Sequence, residues 1–462
     1  MASRAPNPKS GNRVGAECAT EEVVIRSLLV LLSLAMLSSP GFAAGLQVRD
    51  TVLANGLKVV VYENHAAPVT ATEVWYRVGS YNEQSGYTGM SHLLEHMMFK
   101  GTRNYPGGKY SELIEAQGGR ENAFTSEHYT VYWAELASDR YELEMKLEAD
   151  KMANLLLDSS EFEKERNVVM EERRLRENDP SDALWESFYA TAYQTHPYHN
   201  PVIGWMDDLA RLRRSDLWRH YQRFYSPSNA VLVVAGDVSA PKVFAQAAQY
   251  YGRIKSHPVE LWRPVEPEQR GERTVVVKRD VQMPALMMGW HVPGSSDPDF
   301  YAFEVLQGLL MRGFTSRLTN RLVYSGQKAL YVWGGNDAQT DPGMFYIFTA
   351  PRSTVLVDTV VAMVDVEMES LKTVAVSDSE LTKVKNQVIA DFVFGQDDNS
   401  GLAYQIAHSY TMYGSVDYAN EYPNRIAAVT AEDISRAVRK YLTVDNRTIG
   451  RLLPGKAAGE EK

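Results

Sequence analysis

The sequence predicts an α+β protein made of two homologous domains, and three observations carry that prediction. Strand-like and helical runs are mixed without strict alternation, which favours α+β over a doubly wound sheet. One local order of elements occurs twice, about 215 residues apart. A proline-rich stretch lies between the two copies. The length of 462 residues agrees, because a single domain ordinarily takes about 150.

The first copy opens with Leu57-Lys58-Val59-Val60-Val61-Tyr62-Glu63, an alternating strand-like run. It passes through Ala67-Pro68-Val69 to a second strand pattern, Thr72 to Ser80, and then a helical stretch from about Met90 to Phe99. The second copy runs Arg273 to Arg279, Met283-Pro284-Ala285, Leu286 to Ser295, and a helix from Phe300 to Leu310. Further helical patterns in the first half cover Ser111–Gln117, Asp139–Leu156, Ser160–Arg176 and Ser215–Phe224. In the second half they cover Val355–Lys372, Ser377–Phe394 and Ala431–Tyr441. Between the halves, Pro258, Pro264 and Pro267 stand among charged residues, the composition of an extended linker. The expected division is 1–44, 45–256, 257–272 (the linker) and 273–462.

Residues 1–44 differ from the rest. Arg26 precedes an uncharged apolar run, Ser27 to Leu37, and small residues follow to Gly41-Phe42-Ala43-Ala44. That order reads as a secretory signal peptide with cleavage after Ala43, delivering the mature chain to the periplasm. An uncleaved N-terminal anchor is the competing reading. The run is short for a membrane span, and no later segment is long and apolar enough for one. The single cysteine, Cys18, lies in this segment, so the mature chain offers no thiolate nucleophile or thiolate ligand. A net charge of -10 argues against nucleic acid as a partner, since phosphate binding needs clustered Lys and Arg.

His92-Leu93-Leu94-Glu95-His96 is the sharpest motif. On a helix, His92 and His96 share a face, so both imidazoles can converge on one ion. Two neutral imidazoles suit zinc, and Glu95 beside them can take a proton from water. The order inverts the commoner zincin motif. A catalytic zinc site needs a third protein ligand. The helical run Glu161 to Arg174 offers Glu165 and Glu172, two turns apart on one face. The apolar insertion Val168-Val169-Met170 predicts that one side of this helix packs inward. By itself such a charge run is the ordinary solvated face of a helix.

With the two-part motif in view, the chain resembles the pitrilysin/insulinase family of inverted zincins. The resemblance rests on His92, Glu95 and His96, on a glutamate 76 residues beyond His96, and on Gly119-Arg120-Glu121-Asn122-Ala123-Phe124-Thr125. Leu53-Ala54-Asn55-Gly56-Leu57 and the Ser80-to-Ser91 approach add to it. It spans residue 48 to the C-terminus. It implies two homologous domains, each a mostly antiparallel sheet packed with helices, closing like a clam shell around a chamber. It implies a zinc endopeptidase with one Zn2+ per chain, His92, His96 and Glu172 as ligands, and Glu95 as general base. Glu165 matches a carboxylate that orients a ligand histidine. Asn122, Ala123 and Phe124 match a strand edge that binds the backbone of a peptide substrate.

One segment departs from the family pattern. Active members carry an Arg and a Tyr seven apart in the second half, where they bind substrate and stabilise the oxyanion. Here Val323 takes the Arg place and Leu330 the Tyr place, with Arg321 and Tyr331 close by in the wrong register. The helix Tyr301–Leu310 carries no metal motif. The resemblance therefore implies a peptidase working with a homologous subunit, as a heterodimer or a homodimer. The alternative is a non-catalytic scaffold of the same fold.

Overall fold

The structure is a computed structural model that describes residues 45–260 and 264–455, so the signal-like segment and Cys18 lie outside the described residues. The described residues from Val48 onward cluster as one unit. Its first half runs β1 (Arg49–Val52), β2 (Lys58–Glu63), β3 (Val69–Tyr76), α1 (Met90–Met97), α2 (Lys109–Ala116), β4 (Arg120–Thr125) and β5 (Thr130–Ala137). It continues with α3 (Glu142–Asn154), α4 (Ser159–Asn178), α5 (Pro180–Ala192), α6 (Met206–Arg211), α7 (Arg214–Phe224), β6 (Ala230–Gly236) and α8 (Ala240–Tyr251). The second half runs β7 (Arg273–Arg279), β8 (Ala285–Val292), α9 (Asp299–Met311), β9 (Ala329–Asn336) and β10 (Gly343–Pro351). It ends with α10 (Val357–Thr373), α11 (Asp378–Phe394), α12 (Asn399–Tyr413), α13 (Asp417–Ala428), α14 (Ala431–Tyr441) and β11 (Arg447–Pro454).

Each half builds one sheet. The first has the order β1-β2-β6-β3-β5-β4 and the second β7-β11-β8-β10-β9. The five strands β2-β6-β3-β5-β4 correspond one for one to the second sheet. In both, only the pair joining the first strand to the last is parallel, β2 with β6 and β7 with β11. The duplication is thus a duplication of topology, and the sheets are mostly antiparallel. The strand β2 departs from simple alternation. Val59, Val60 and Val61 are all fully buried, because β2 lies inside the sheet with both faces covered.

The two halves exchange helices. The first half's α5 packs on β7 and β11 of the second sheet, and the second half's α12 packs on β3 and β6 of the first. Asp179 caps α5 by accepting from the backbone N–H groups of Ser181 and Asp182, with Pro180 at the first helical position. Phe188 of α5 is fully buried and lies against Gly289 of β8 and Gly450 of β11. A Cβ at Gly289 would stand 2.7 Å from the Phe188 ring, so the bare strand is what admits the helix. In return, Arg77 at the end of β3 donates to the carbonyls of Tyr410 and Thr411, near the C-terminus of α12.

Candidate metal centre

The helix α1 carries His92, Glu95 and His96, and its start is built tightly. Gly89, the residue before it, adopts the left-handed conformation at φ 84°. A Cβ there would stand 2.4 Å from the Ile203 carbonyl oxygen. The Glu83 carboxylate accepts from the backbone N–H groups of Gly89 and Ser91 at 2.7 and 2.6 Å, supplying an anion to the helix N-terminus. Burial pushes the Glu83 carboxyl up to about 8, against the opposing effect of these hydrogen bonds. The Ser91 hydroxyl meets His220 Nε2 of α7 at 3.0 Å. Leu93, Leu94 and Met97 are buried in the core, which leaves the histidine face free.

The helix α4 supplies the facing carboxylates. Asp158 caps it through Ser160 and Glu161. Phe162, Glu165, Val169 and Arg173 are its buried stripe. The insertion Val168-Val169-Met170 splits across two faces: Val169 is fully buried, Met170 packs against the core, and Val168 faces outward. Arg173 is 2% exposed and makes two hydrogen bonds to the Glu186 carboxylate, fastening α4 to α5.

Between these helices, His92 Nε2 and His96 Nε2 lie 3.7 and 3.8 Å from the same oxygen of Glu172, Oε2. Donors on a tetrahedral zinc at bond lengths near 2.1 Å stand about 3.4 Å apart. His92, His96 and Glu172 form a cluster that could hold a metal ion, with one ligand atom from each within 4.8 Å of the others. Burial and the neighbouring His96 hold His92 well below the usual histidine range, so it is neutral, the form that ligates. His96 Nδ1 faces Glu165 Oε2 at 3.3 Å, and Lys100 Nζ meets the other Glu165 oxygen at 2.6 Å. The donor set therefore fits zinc, and Glu165 stands where it can fix the His96 ring.

Glu95 is buried beside the pair, and Thr125 of β4 donates to its Oε2 at 2.6 Å. Burial pushes its carboxyl up and the Thr125 bond opposes the rise. β4 is the outer strand of the first sheet, so Asn122, Ala123 and Phe124 lie on a free edge that ends at Glu95. Arg321 and Tyr331 make their contacts elsewhere. Arg321 pairs with Glu367 of α10 at 2.9 Å, and the Tyr331 ring stacks on Phe348. Val323 packs against the second-half core and Leu330 is exposed.

Some participants escape the motif reading. Arg176 donates to Glu172 Oε1 at 3.1 Å, a pairing legible in the spacing of four on a helix. Arg176 also lines a cavity of about 410 Å³ between the halves, together with Tyr129, Trp185, Tyr198, Asp337 and Tyr404. Glu83, Lys100 and Thr125 carry no local signal, because only the fold brings them to the helix.

A paired-histidine helix closed by a glutamate from a second helix, on one half of a duplicated α+β scaffold, defines a class: two-domain proteins with the inverted metallopeptidase site. The profile described as Insulinase (Peptidase family M16) matches residues 58–205, and that described as Peptidase M16 inactive domain matches 211–388. The zinc protease PqqE of Helicobacter pylori is 31% identical over 411 residues, covering 88% of this chain and 92% of the relative. A solved protease structure from Helicobacter pylori superposes with a TM-score of 0.84 at 30% identity, over 89% of this chain and all of that one. The periplasmic protease PqqL of Escherichia coli superposes at 0.74 and 19% identity, over 89% of this chain but 48% of PqqL. The chain belongs to the insulinase family, peptidase family M16. Its fold is the two-domain clam shell, with the histidine motif in the first matched region and none in the second.

Proposed function

We propose that the chain is a zinc-dependent endopeptidase that hydrolyses peptides or small proteins. The observation that carries this reading is the convergence of His92 Nε2 and His96 Nε2 on one Glu172 oxygen, with Glu95 beside them. His92, His96 and Glu172 would hold one zinc ion per chain. Zinc bound there supplies an acidified water and polarises the scissile carbonyl. Glu95 accepts the water proton and returns it to the leaving amine. Glu165 keeps the His96 ring in register, and Arg176 and Lys100 hold the two glutamates in place. The peptide adds as a strand to β4 at Asn122, Ala123 and Phe124, and Thr125 couples that strand to Glu95.

In this reading residues 45–256 are the catalytic domain, 257–272 the linker and 273–462 the metal-free domain. The N-terminal pattern supports export to the periplasm, the compartment of the Escherichia coli protease PqqL that shares the fold. The length of PqqL, about twice this chain, supports a homologous subunit completing the chamber. The departure at Val323 and Leu330 favours the same pairing, and it is also the one feature a non-catalytic scaffold would share. A combined assay decides: metal content per chain, and cleavage of a quenched peptide set with and without a second chain. A chain with no zinc and no cleavage in either condition refutes the peptidase reading.

A further inference from the structure

The first sheet has two faces at its β4 edge. On one, Thr125 meets Glu95 of α1. On the other, the register lines up Asn122 of β4, Trp133 of β5 and Glu73 of β3, with Phe124, Val131 and Trp75 in the next row. The exchanged helix α12 covers part of this second face, its Tyr404 ring 5.2 Å from Trp75. An opening of about 280 Å³ remains there, lined by Glu73, Phe124, Trp133, Glu135, Ser400 and Tyr404, with Arg120 at its rim.

Glu73 is the odd group in this opening. It is 5% exposed, and Trp75 Nε1 donates to its Oε2 at 2.6 Å. Among the described residues no Lys or Arg pairs with it. A buried carboxyl with one donor is costly unless something else meets it. Burial pushes Glu73 up to about 8, and the charge of Glu135 adds to the rise. The rim already shows what the walls accept. The Arg120 guanidinium lies 6.0 Å from the Trp133 ring centroid and bonds Glu135 at 2.5 Å. Aromatic faces above a carboxylate are the chemistry that binds a guanidinium or an ammonium.

We propose that this opening is a specificity pocket for one basic side chain of a peptide bound along β4, with Glu73 at its floor and Trp133, Phe124 and Tyr404 as its walls. The proposal rests on the reading that peptide adds to the β4 edge. A strand added there turns alternate side chains toward this face. Asn122, in register with Trp133 and Glu73, lies three residues from Thr125, about 10 Å along a strand. The basic residue therefore sits about three positions from the bond presented to Glu95. The cation takes the place of the proton that burial holds on Glu73, in a site where no protein cation meets the carboxylate.

The test separates binding from cleavage. Peptides carrying Arg, Lys, norleucine or Glu at each position are titrated by fluorescence anisotropy against the zinc-loaded full chain bearing Glu95→Gln. The same peptides are assayed for cleavage by the wild-type chain. The expected result is a preference for Arg or Lys over norleucine of about 10-fold at one position, falling to near one when Glu73→Gln is added. Should Glu73→Gln fail to fold, Trp133→Leu is expected to lower the same ratio several-fold. Peptide binding without any positional preference for a basic residue overturns the pocket while leaving the peptidase reading intact. A preference that survives both substitutions also overturns it. Binding with the preference but no cleavage by the wild-type chain, either alone or with the homologous chain added, refutes the peptidase reading and leaves the pocket standing. Absence of peptide binding altogether overturns the pocket as well.

Discussion

Glu95 and His92 are three residues apart on one helix, and burial acts on both by opposing charge. It lowers the histidine and raises the carboxyl. A neutral imidazole is what a metal needs, and a carboxyl raised toward the operating pH is what a general base needs. Replacing Glu95 by Gln keeps size and zinc but removes the base, so turnover is expected to fall about 10²–10⁴-fold at unchanged metal content. His92→Ala, His96→Ala and Glu172→Gln are each expected to lose most of the zinc, measured by plasma emission after dialysis. Glu165→Gln is the finer probe: weaker orientation of His96 is expected to cost about 10–100-fold in zinc affinity. Glu73 behaves differently because nothing neutralises it. Its folded pKa, about 8, lies above the ordinary carboxyl value, so the native state holds a proton that the unfolded chain releases. The stability this contributes is present at acid pH and is lost as pH rises from about 4.5 to about 8. Glu73→Gln is therefore expected to unfold at nearly the wild-type temperature at pH 5 and at a higher one at pH 9. Equal differences at both pH values would show that Glu73 titrates normally.

At the scale of elements, the start of α1 is the most constrained joint. Gly89 needs its left-handed backbone and its lack of a Cβ against the Ile203 carbonyl. Gly89→Ala is expected to cost about 1–3 kcal/mol in denaturant unfolding and to weaken zinc binding, because α1 must shift to relieve the contact. Phe188→Ala, in the exchanged helix α5, is expected to cost about 3–5 kcal/mol and to loosen both halves together. These two positions also mark how far the sequence could be read. Helix α1, its histidine spacing and the two-turn spacing of Glu165 and Glu172 are local patterns, and in the fold ligand atoms of His92, His96 and Glu172 lie within 4.8 Å of one another. The strand, proline, strand, helix order likewise recurs in both sheets. The exchange of α5 and α12 is not local. Neither helix is among the helical runs read from the sequence: the buried face of α5 is only Ala183, Leu184, Phe188 and Ala192, and that of α12 mixes Ser409, Tyr410 and Thr411 with aliphatic residues. Their covering partners lie on the opposite half, and side-chain periodicity says nothing about which sheet a helix will cover. Val168 shows the same limit on a smaller scale, turned outward beside a buried Val169. Glu83 reaches the α1 N-terminus through a loop, a contact set by the fold and not by spacing.

The whole molecule has one well-furnished half and one sparsely furnished half. The first holds the cluster that could take a metal, Glu95 beside it and the free strand edge. The second holds no histidine motif, and the residues nearest the expected Arg and Tyr places are occupied: Arg321 by Glu367 and Tyr331 by Phe348. A tetrahedral oxyanion needs donors placed where charge develops, and losing one typically costs about 10²–10³-fold in rate. Val323 and Leu330 have no donor to give. Freeing Arg321 would leave the buried Glu367 with Arg317 alone, a guanidinium it already shares with Glu380, so local rearrangement is costly. The expected outcome is that the purified chain binds zinc but cleaves peptides weakly, and gains at least about 10²-fold in kcat/KM when a homologous chain carrying the Arg and Tyr is added. Sedimentation of the mixture should show a complex of two chains under the same conditions. Efficient cleavage by the monomer, slowed strongly by Tyr331→Phe or Arg321→Ala, would instead mean that the local residues move into place and that no partner is required.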